Sequence, residues 1–392
     1  MAETESIWEK VDDAELEPRE LNKESFALMQ DFLRDNSSDE SEIRQPPMDI
    51  PFDYSFDDEI IPPRNAKLLT EIGGISVPAT EYAQTMIQKY VTRFSNGYGK
   101  KNLIAALDRG EVYRFYIRQE LAKRGMPAAL EYLPVVESEY RTRATSRSGA
   151  QGIWQFMENS VAPFMIKNDW MDERNDPWKS TDAALTKLQE NYKMFGDWAI
   201  AIAAYNCGAG AMRKFLRENP DKNFWELAEL DVMTEETTLY IPKFLAIAEI
   251  ALHQDDYEVE LPELQAESEI YEFDILPVKE AIHLAILASE MRTDYDNLKN
   301  LNASLTRFIT PPNREYDLRL PAGMKETAEE AIEAIRKKRP SDYSGIRTYK
   351  VQDGDSLWGI ARRNKCTVED ICFLNNRKEK QILKIGEVLL IP

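Results

Sequence analysis

From Asp197 to Asn206 the chain runs through Trp198, Ala199, Ile200, Ala201, Ile202, Ala203, Ala204 and Tyr205 without a charge after Asp197. No stretch of the chain approaches the roughly 18 apolar residues a spanning helix needs. The segment therefore reads as a helix buried on all sides, which only other elements packed around it can provide. It ends in a Tyr-Asn pair, followed by the loop Cys207, Gly208, Ala209 and Gly210.

A second segment contains an acid where its pattern calls for an apolar residue. Leu130, Leu133 and Glu137 fall at i, i+3 and i+7, one stripe of a helix that opens with Pro127 near its first turn. A carboxyl at the end of a core-facing stripe loses solvation of its charged form. Its pKa rises, and it stays protonated long enough to act as a general acid. Downstream, a turn punctuated by Gly149 and Gly152 runs into Ile153, Trp154, Gln155, Phe156 and Met157, and later come Glu236, Thr237, Tyr240 and Pro242. Taken singly, Gln155 reads as a turn residue, Tyr205 and Tyr240 as core tyrosines, and Asn206 as a helix C-cap. Their order and spacing carry the signal.

In that order these residues resemble the lytic transglycosylases of the goose-lysozyme-like superfamily, most of all the membrane-bound lytic murein transglycosylase D group. Glu137-Ser138 is similar to the family's catalytic Glu-Ser, and Gly152 to Gln155 to its Gly-Leu-Trp/Met-Gln segment. Ala204-Tyr205-Asn206 matches its Ala-Tyr-Asn, and Glu236, Thr237 and Tyr240 its closing Glu-Thr-x-x-Tyr. The likeness extends through Trp170–Pro177 and covers roughly residues 80–255. Two departures stand out. Cys207 replaces a small Ser or Ala, and Glu139 adds an acid two residues beyond Glu137.

The resemblance implies a mainly α, lysozyme-like catalytic domain and a peptidoglycan substrate. Glu137 would be the catalytic acid. Ser138 would hydrogen-bond near the reacting sugar, with Gln155, Tyr205, Asn206 and Tyr240 lining the groove and Met157 on its apolar wall. The implied reaction is non-hydrolytic cleavage of the β-1,4 bond between N-acetylmuramic acid and N-acetylglucosamine, leaving 1,6-anhydro ends. Most glycosidases use two carboxylates, whereas this family uses one. Two alternatives stay open. A muramidase on the same fold needs a second acid; Glu139 points roughly 200° around the helix from Glu137, while Asp172, Glu173 and Asp176 remain candidates. A catalytically silent peptidoglycan-binding scaffold would keep the fold without turnover.

Beyond residue 268 the sequence contains a diverged internal repeat. Residues 346–392 read as strand, helix, helix, strand: Thr348–Val351, a helix after Asp355-Ser356, a helix after Thr367, and Glu387–Ile391. Asp355 or Ser356 caps the first helix and Thr367 the second. This βααβ unit resembles LysM, a module that binds N-acetylglucosamine-containing glycans. The family's contacts fall on Gly354, Asp355, Ser356 and Leu357, and near Leu383 between Ile382 and Lys384. Residues 268–322 form the diverged copy, in which Leu298–Asn302 answers to Ile371–Asn375 and Tyr316–Pro321 to the last strand. It lacks the Asp-Gly-Asp-Ser loop, so weakened or absent glycan binding is expected. Residues 323–345 read as a helical spacer, residues 76–258 as the catalytic domain, and residues 1–75 as an acidic, extended or disordered arm with a short helix around Lys23–Arg34.

Of the net charge of −20, residues 1–60 hold 19 acidic against 5 basic side chains. The remainder is only mildly acidic, which argues against a nucleic-acid partner because phosphate neutralisation needs basic patches. Cys207, Cys366 and Cys372 form no CxxC pair, and His253 and His283 read as ordinary helix residues without ligand partners. The acidic run Asp169–Asp176 lacks the Gly and closing Glu of a calcium loop and contains Arg174, so it reads as a structural turn. No metal or cofactor is expected. The resemblance places the protein in the bacterial cell envelope, on the periplasmic side. Met1-Ala2-Glu3-Thr4-Glu5 is no export signal. The expectation is that such a signal is missing from this sequence, along with any outer-membrane lipid anchor.

Overall fold

The computed structural model describes residues 67–262, 272–312, 314–338, 347–364, 366, 368–375 and 377–391. Most of the acidic arm, its Lys23–Arg34 helix, and Thr367 lie outside the described residues.

A two-strand hairpin, β1 (Glu71–Ile72) and β2 (Ile75–Ser76), leads into the catalytic domain. Leu69, Ile72 and Ile75 are buried in its core, so residues 67–75 belong to that domain and not to the arm. Helix α1 (Glu81–Ser95) starts at Thr80, whose side chain accepts from Ala83 N, and buries Ala83, Ile87, Tyr90, Val91 and Phe94. Helix α2 (Gly97–Arg124) stops at Gly125 in the left-handed region. The stripe from Leu130 to Glu137 divides in two: a 3-10 turn over Ala128–Tyr132, then α3 (Leu133–Ser138). Leu130 and Leu133 are fully buried, as the stripe requires.

Helix α4 (Pro177–Phe195) is capped by Asp176, whose Oδ1 accepts from Trp178 N and Lys179 N. Helix α5 (Trp198–Cys207), the uncharged segment, is capped by Asp197 and buries Ala199 to Tyr205 without a break. It lies against α4, α6 (Ala209–Glu218), α7 (Phe224–Glu229) and α8 (Glu235–Leu252). That enclosure explains how a helix with no polar face is stable in water.

The next unit pairs β3 (Phe273–Val278) antiparallel with β4 (Tyr316–Pro321), around α9 (Leu284–Met291) and α10 (Tyr295–Leu301). Helix α11 (Lys325–Lys338) is not a spacer. Its stripe of Ala328, Ala331, Ile332 and Ile335 is buried in this unit's core and faces α9. The last unit pairs β5 (Arg347–Lys350) with β6 (Val388–Ile391) around α12 (Leu357–Arg363) and α13 (Val368–Leu374). The two units share one device. Asn302 gives Nδ2–H to Arg319 O (2.7 Å) and accepts from Arg319 N (3.0 Å). Asn375 does the same with Leu390, at 2.6 and 2.7 Å. The sequence alignment of these asparagines is therefore structural as well.

Neither histidine sits inside a helix. His283 N-caps α9, its Nδ1 accepting from Ala285 N (3.1 Å), and His253 C-caps α8 and pairs with Glu249. Among the described residues no helix is long and apolar enough to cross a membrane.

Candidate active site

Glu137 stands at the end of α3, half-buried, with Tyr240 of α8 donating its hydroxyl to Oε1. Burial pushes the Glu137 carboxyl up from 4.5 to about 7. The hydrogen bond from Tyr240 and the positive charge of Lys187 oppose this rise, and the charge of Glu236 adds to it. Burial also holds the Tyr240 phenol far above its ordinary value, with the charge of Glu137 next in importance. Tyr240 therefore remains a donor throughout the neutral range.

The backbone beyond Glu137 is unusual. Glu139 (φ 52°) and Tyr140 (φ 61°) both occupy the left-handed region, which non-glycine residues rarely adopt. Glu139 is held there by Arg109 (3.0 Å) and Arg141 (2.9 Å), and Tyr140 by a hydrogen bond from its hydroxyl to Glu131 O. Glu131 is itself paired with Arg114 and Arg118, both at 2.9 Å. The extra acid is thus part of the scaffold under the helix and not of the reactive face.

Bonded to the end of α3 through Ser138 is the turn Gly152–Gln155. Gly152 has φ +83°, and a Cβ there would lie 1.7 Å from Arg174 O, so only glycine fits. Gln155 is also left-handed (φ 48°), and its Nε2 donates to Gly152 O (2.8 Å) and Ala144 O (3.2 Å). Its amide nitrogen being occupied, the group it can offer a ligand is the carbonyl oxygen. Ser138 is buried and donates to Ile153 O (2.9 Å); Tyr205 is buried and donates to Trp154 O (2.8 Å). Both residues were expected to meet the sugar. In the structure their hydroxyls donate to the turn that presents Gln155. Trp154, fully buried, donates Nε1–H to Thr181 (2.8 Å). Met157 follows on the exposed side of the turn. Asn206 links two helices: Nδ2 donates to Glu236 (3.3 Å) and Oδ1 accepts from Thr237 (3.0 Å).

Two residues near the acid carried no sequence assignment. Lys187 of α4 has Nζ 5.0 Å from the Tyr205 ring centroid and 5.5 Å from that of Phe156. Burial lowers its pKa, and the charge of Glu137 raises it again. Nothing in the spacing around Lys187 marks it, because its neighbours at the site come from distant segments. Glu236 is exposed at the start of α8. It belonged to a recognised motif, but no role had been read for it.

The acids left open as partners for a hydrolase are all engaged. Asp172 pairs with Arg174 (2.6 Å), Glu173 with Lys179, and Asp176 with Arg319 (2.6 Å) besides capping α4. The run is a structural turn in which Asp172, Glu173 and Asp176 each have a cationic partner.

In the C-terminal module, Asp355 Oδ2 accepts from Gln352 N (2.8 Å) and Tyr349 Oη (2.9 Å), and its other oxygen pairs with Arg363. Ser356 caps α12 by accepting from Gly359 N (3.1 Å), and Leu357 is buried. Gly354 makes the turn at φ +78°, and Leu383 packs against the module's core. These residues shape the two loops. The side chains exposed here are Ile382 (85 %), at the edge of the stretch the sequence reading named, and Ile385 (70 %) and Trp358 (65 %), the last on α12, which it had not singled out.

Comparison with known proteins agrees with this geometry. The Transglycosylase SLT domain family matches residues 115–228, which include Glu137, Gln155 and Tyr205. The membrane-bound lytic murein transglycosylase D of Escherichia coli (strain K12) is 30% identical over 332 residues, which is 81% of this chain and 70% of the relative. The chain belongs to that family. The family's own LysM-like domain, described as that of lytic transglycosylase MltD, matches residues 272–337, including α11, and the LysM domain matches 349–392. A putative tributyltin chloride resistance protein of Alteromonas sp. (strain M-1) is 36% identical over 116 residues, 29% of this chain and 56% of the relative. As a member of the lytic murein transglycosylase D family, the chain is a peptidoglycan lytic transglycosylase with a peptidoglycan-binding LysM domain.

Proposed function

We propose that Glu137 alone carries the proton transfers of a non-hydrolytic cleavage between N-acetylmuramic acid and N-acetylglucosamine. The observation behind this reading is a single carboxyl raised to about 7 by burial, while Glu139, Asp172, Glu173 and Asp176 are each held in an ion pair. In its acid form Glu137 protonates the glycosidic oxygen as the bond from that oxygen to C1 breaks. The resulting carboxylate keeps the hydrogen bond from Tyr240. It then takes the proton of the C6 hydroxyl while O6 bonds to C1, which returns Glu137 to its starting form and leaves a 1,6-anhydro end. Because that nucleophile belongs to the same sugar, its effective concentration is high and no second carboxylate is required. The carbonyl of Gln155 and the amide of Asn206 are the groups we assign to the N-acetyl and ring contacts. The exposed side chains of the C-terminal module raise the local glycan concentration without altering the chemistry.

One observation favours a second reading. Glu236, exposed and electrostatically coupled to Glu137, is a carboxylate that could activate water in a muramidase. Mass analysis of muropeptides released from purified sacculi separates the two. Products lighter by one water than reducing-end muropeptides support the intramolecular route, and reducing ends refute it. We place the enzyme on the periplasmic face of the envelope, tethered by a lipid anchor at the outer membrane.

A further inference from the structure

The LysM-like unit seats one of its loops against the catalytic domain, at the base of the Gln155 turn. In the C-terminal module, the chain between Asn375 and β6 exposes Ile382 and Ile385. In the LysM-like unit, the equivalent stretch after Asn302 buries Ala303, Ser304, Leu305, Ile309 and Thr310. Its two loops are also bonded to each other: Leu284 N to Phe308 O (2.9 Å) and Thr310 N to Ile282 O (3.1 Å). The surface that remains for glycan in one copy is closed in the other.

Residues 303–306 lie between two catalytic-domain segments. On one side, Arg143 Nη2 donates to Ala303 O (2.8 Å) and Leu305 O (2.6 Å), with its guanidinium 4.2 Å from the Phe308 ring centroid. The next residue, Ala144, accepts from Gly152 N (3.0 Å) and from Gln155 Nε2 (3.2 Å). On the other side, Ser304 O accepts from Asp172 N (2.8 Å), and Thr306 N donates to Trp170 O (3.0 Å). Asp172 holds Arg174, whose Nη1 donates to Gly149 O (3.0 Å) and Phe156 O (3.2 Å). Beside the bonds from Ser138 and Tyr205, two further supports of the strained Gln155 turn therefore rest on one loop of the neighbouring unit.

We propose that residues 303–308 of the LysM-like unit act as a wedge that positions the Gln155 turn, so that this unit serves turnover and not glycan capture. The proposal rests on the reading that Glu137 and Gln155 form the reactive groove. Arg143 is its positioning residue. Its guanidinium is buried at this contact, where burial lowers its pKa, but Arg143 belongs to neither hydrophobic core, so its replacement leaves the cores intact. A tight turn held in a sparsely populated conformation relaxes when its outer supports are removed, and a small misplacement of a substrate-positioning group is costly to rate.

The test uses the full chain on purified sacculi, with wild type, Arg143→Met, Arg143→Lys and the double variant Thr306→Ala with Arg307→Ala. Thr306 and Arg307 contact Asp169 O from the rim of the same interface. Arg143→Met is expected to lower kcat about tenfold with KM within twofold, unchanged co-sedimentation with sacculi, and a melting temperature well above that of the assay. Arg143→Lys recovers most of the lost rate, and the double variant lowers kcat in the same direction. Wild-type kcat in both Arg143→Met and the double variant would overturn the wedge, as would a kcat loss matched by a loss of folded protein. A raised KM with weakened sacculus binding would also overturn it, showing a glycan-binding role instead. A wild type that released no muropeptides would overturn the functional reading itself, a result distinct from all of these.

Discussion

Replacing Glu137 with Gln should inactivate the enzyme and, above neutral pH, stabilise it. The carboxyl is near 4.5 in an unfolded chain and about 7 in the fold. Below pH 4.5 it is neutral in both states, so burial carries no penalty. As pH rises through the interval between the two values, the unfolded state releases its proton first, and folding loses stability until the folded group ionises as well. At about 1.36 kcal/mol per pKa unit, the loss levels off at about 3 kcal/mol by pH 8 and is only about 0.2 kcal/mol at pH 4. The open edge of the side chain makes the larger figure a ceiling. Glutamine has nearly the same shape, still accepts from Tyr240 through Oε1, and never ionises. For a domain of this size the expected gain in melting temperature is about 5–10 °C at pH 8, falling to nearly nothing at pH 4. Thermal unfolding of both proteins across that range measures it, since every other titrating group is common to the pair and cancels in the difference. A difference independent of pH, or a less stable Gln variant at pH 8, would refute the claim that a poorly solvated carboxyl lies at the centre of this site.

Turnover by Glu137→Gln should fall by about 10²–10⁴-fold, the usual contribution of a general acid. Sacculus binding should persist, which a pull-down beside the muropeptide assay checks. The alkaline limb of the wild-type rate profile should lie near pH 7, because Glu137 must begin protonated. Removing the nearby negative charge with Glu236→Gln moves that limb to lower pH, and removing the positive charge with Lys187→Met moves it to higher pH, as initial rates against pH would show. Thr181→Val leaves the buried Trp154 N–H without its partner, at a cost of about 1–3 kcal/mol in chemical denaturation. Gly152→Ala drives a methyl group into Arg174 O at a left-handed position and should cost more than about 4 kcal/mol, seen as loss of soluble folded protein.

What could be read from the sequence depended on the range of the interaction. The enclosed helix ending in Tyr205 was legible because six successive small or apolar residues admit no other environment in a chain without membrane spans. Glu137 was legible because a local stripe broke its own rule. The asparagines of the two small units aligned because each keeps its place at the end of a helix. By contrast, Ser138 and Tyr205 have side chains directed toward backbone carbonyls 15 and 51 residues away, which no local period reveals. Lys187 gains its meaning only from rings contributed by other segments. The strands β1 and β2, two residues each, are below the length at which alternation is visible. The α11 stripe, half of it alanine and set in a charged sequence, looks like a polar linker until α9 is placed opposite it.

The paired asparagines also bear on how such small units can be altered. In each, a single amide grips the final strand from the end of the second helix, although 17 residues separate donor and acceptor in one unit and 15 in the other. Each amide thus ties the second helix to a strand whose register is also set by pairing with the facing strand. A graft for new sugar specificity belongs at the exposed Ile382 and Ile385, keeping Leu383 in the core, the Arg377–Glu387 pair and the bonds from Val351 to Gly386 and Glu387.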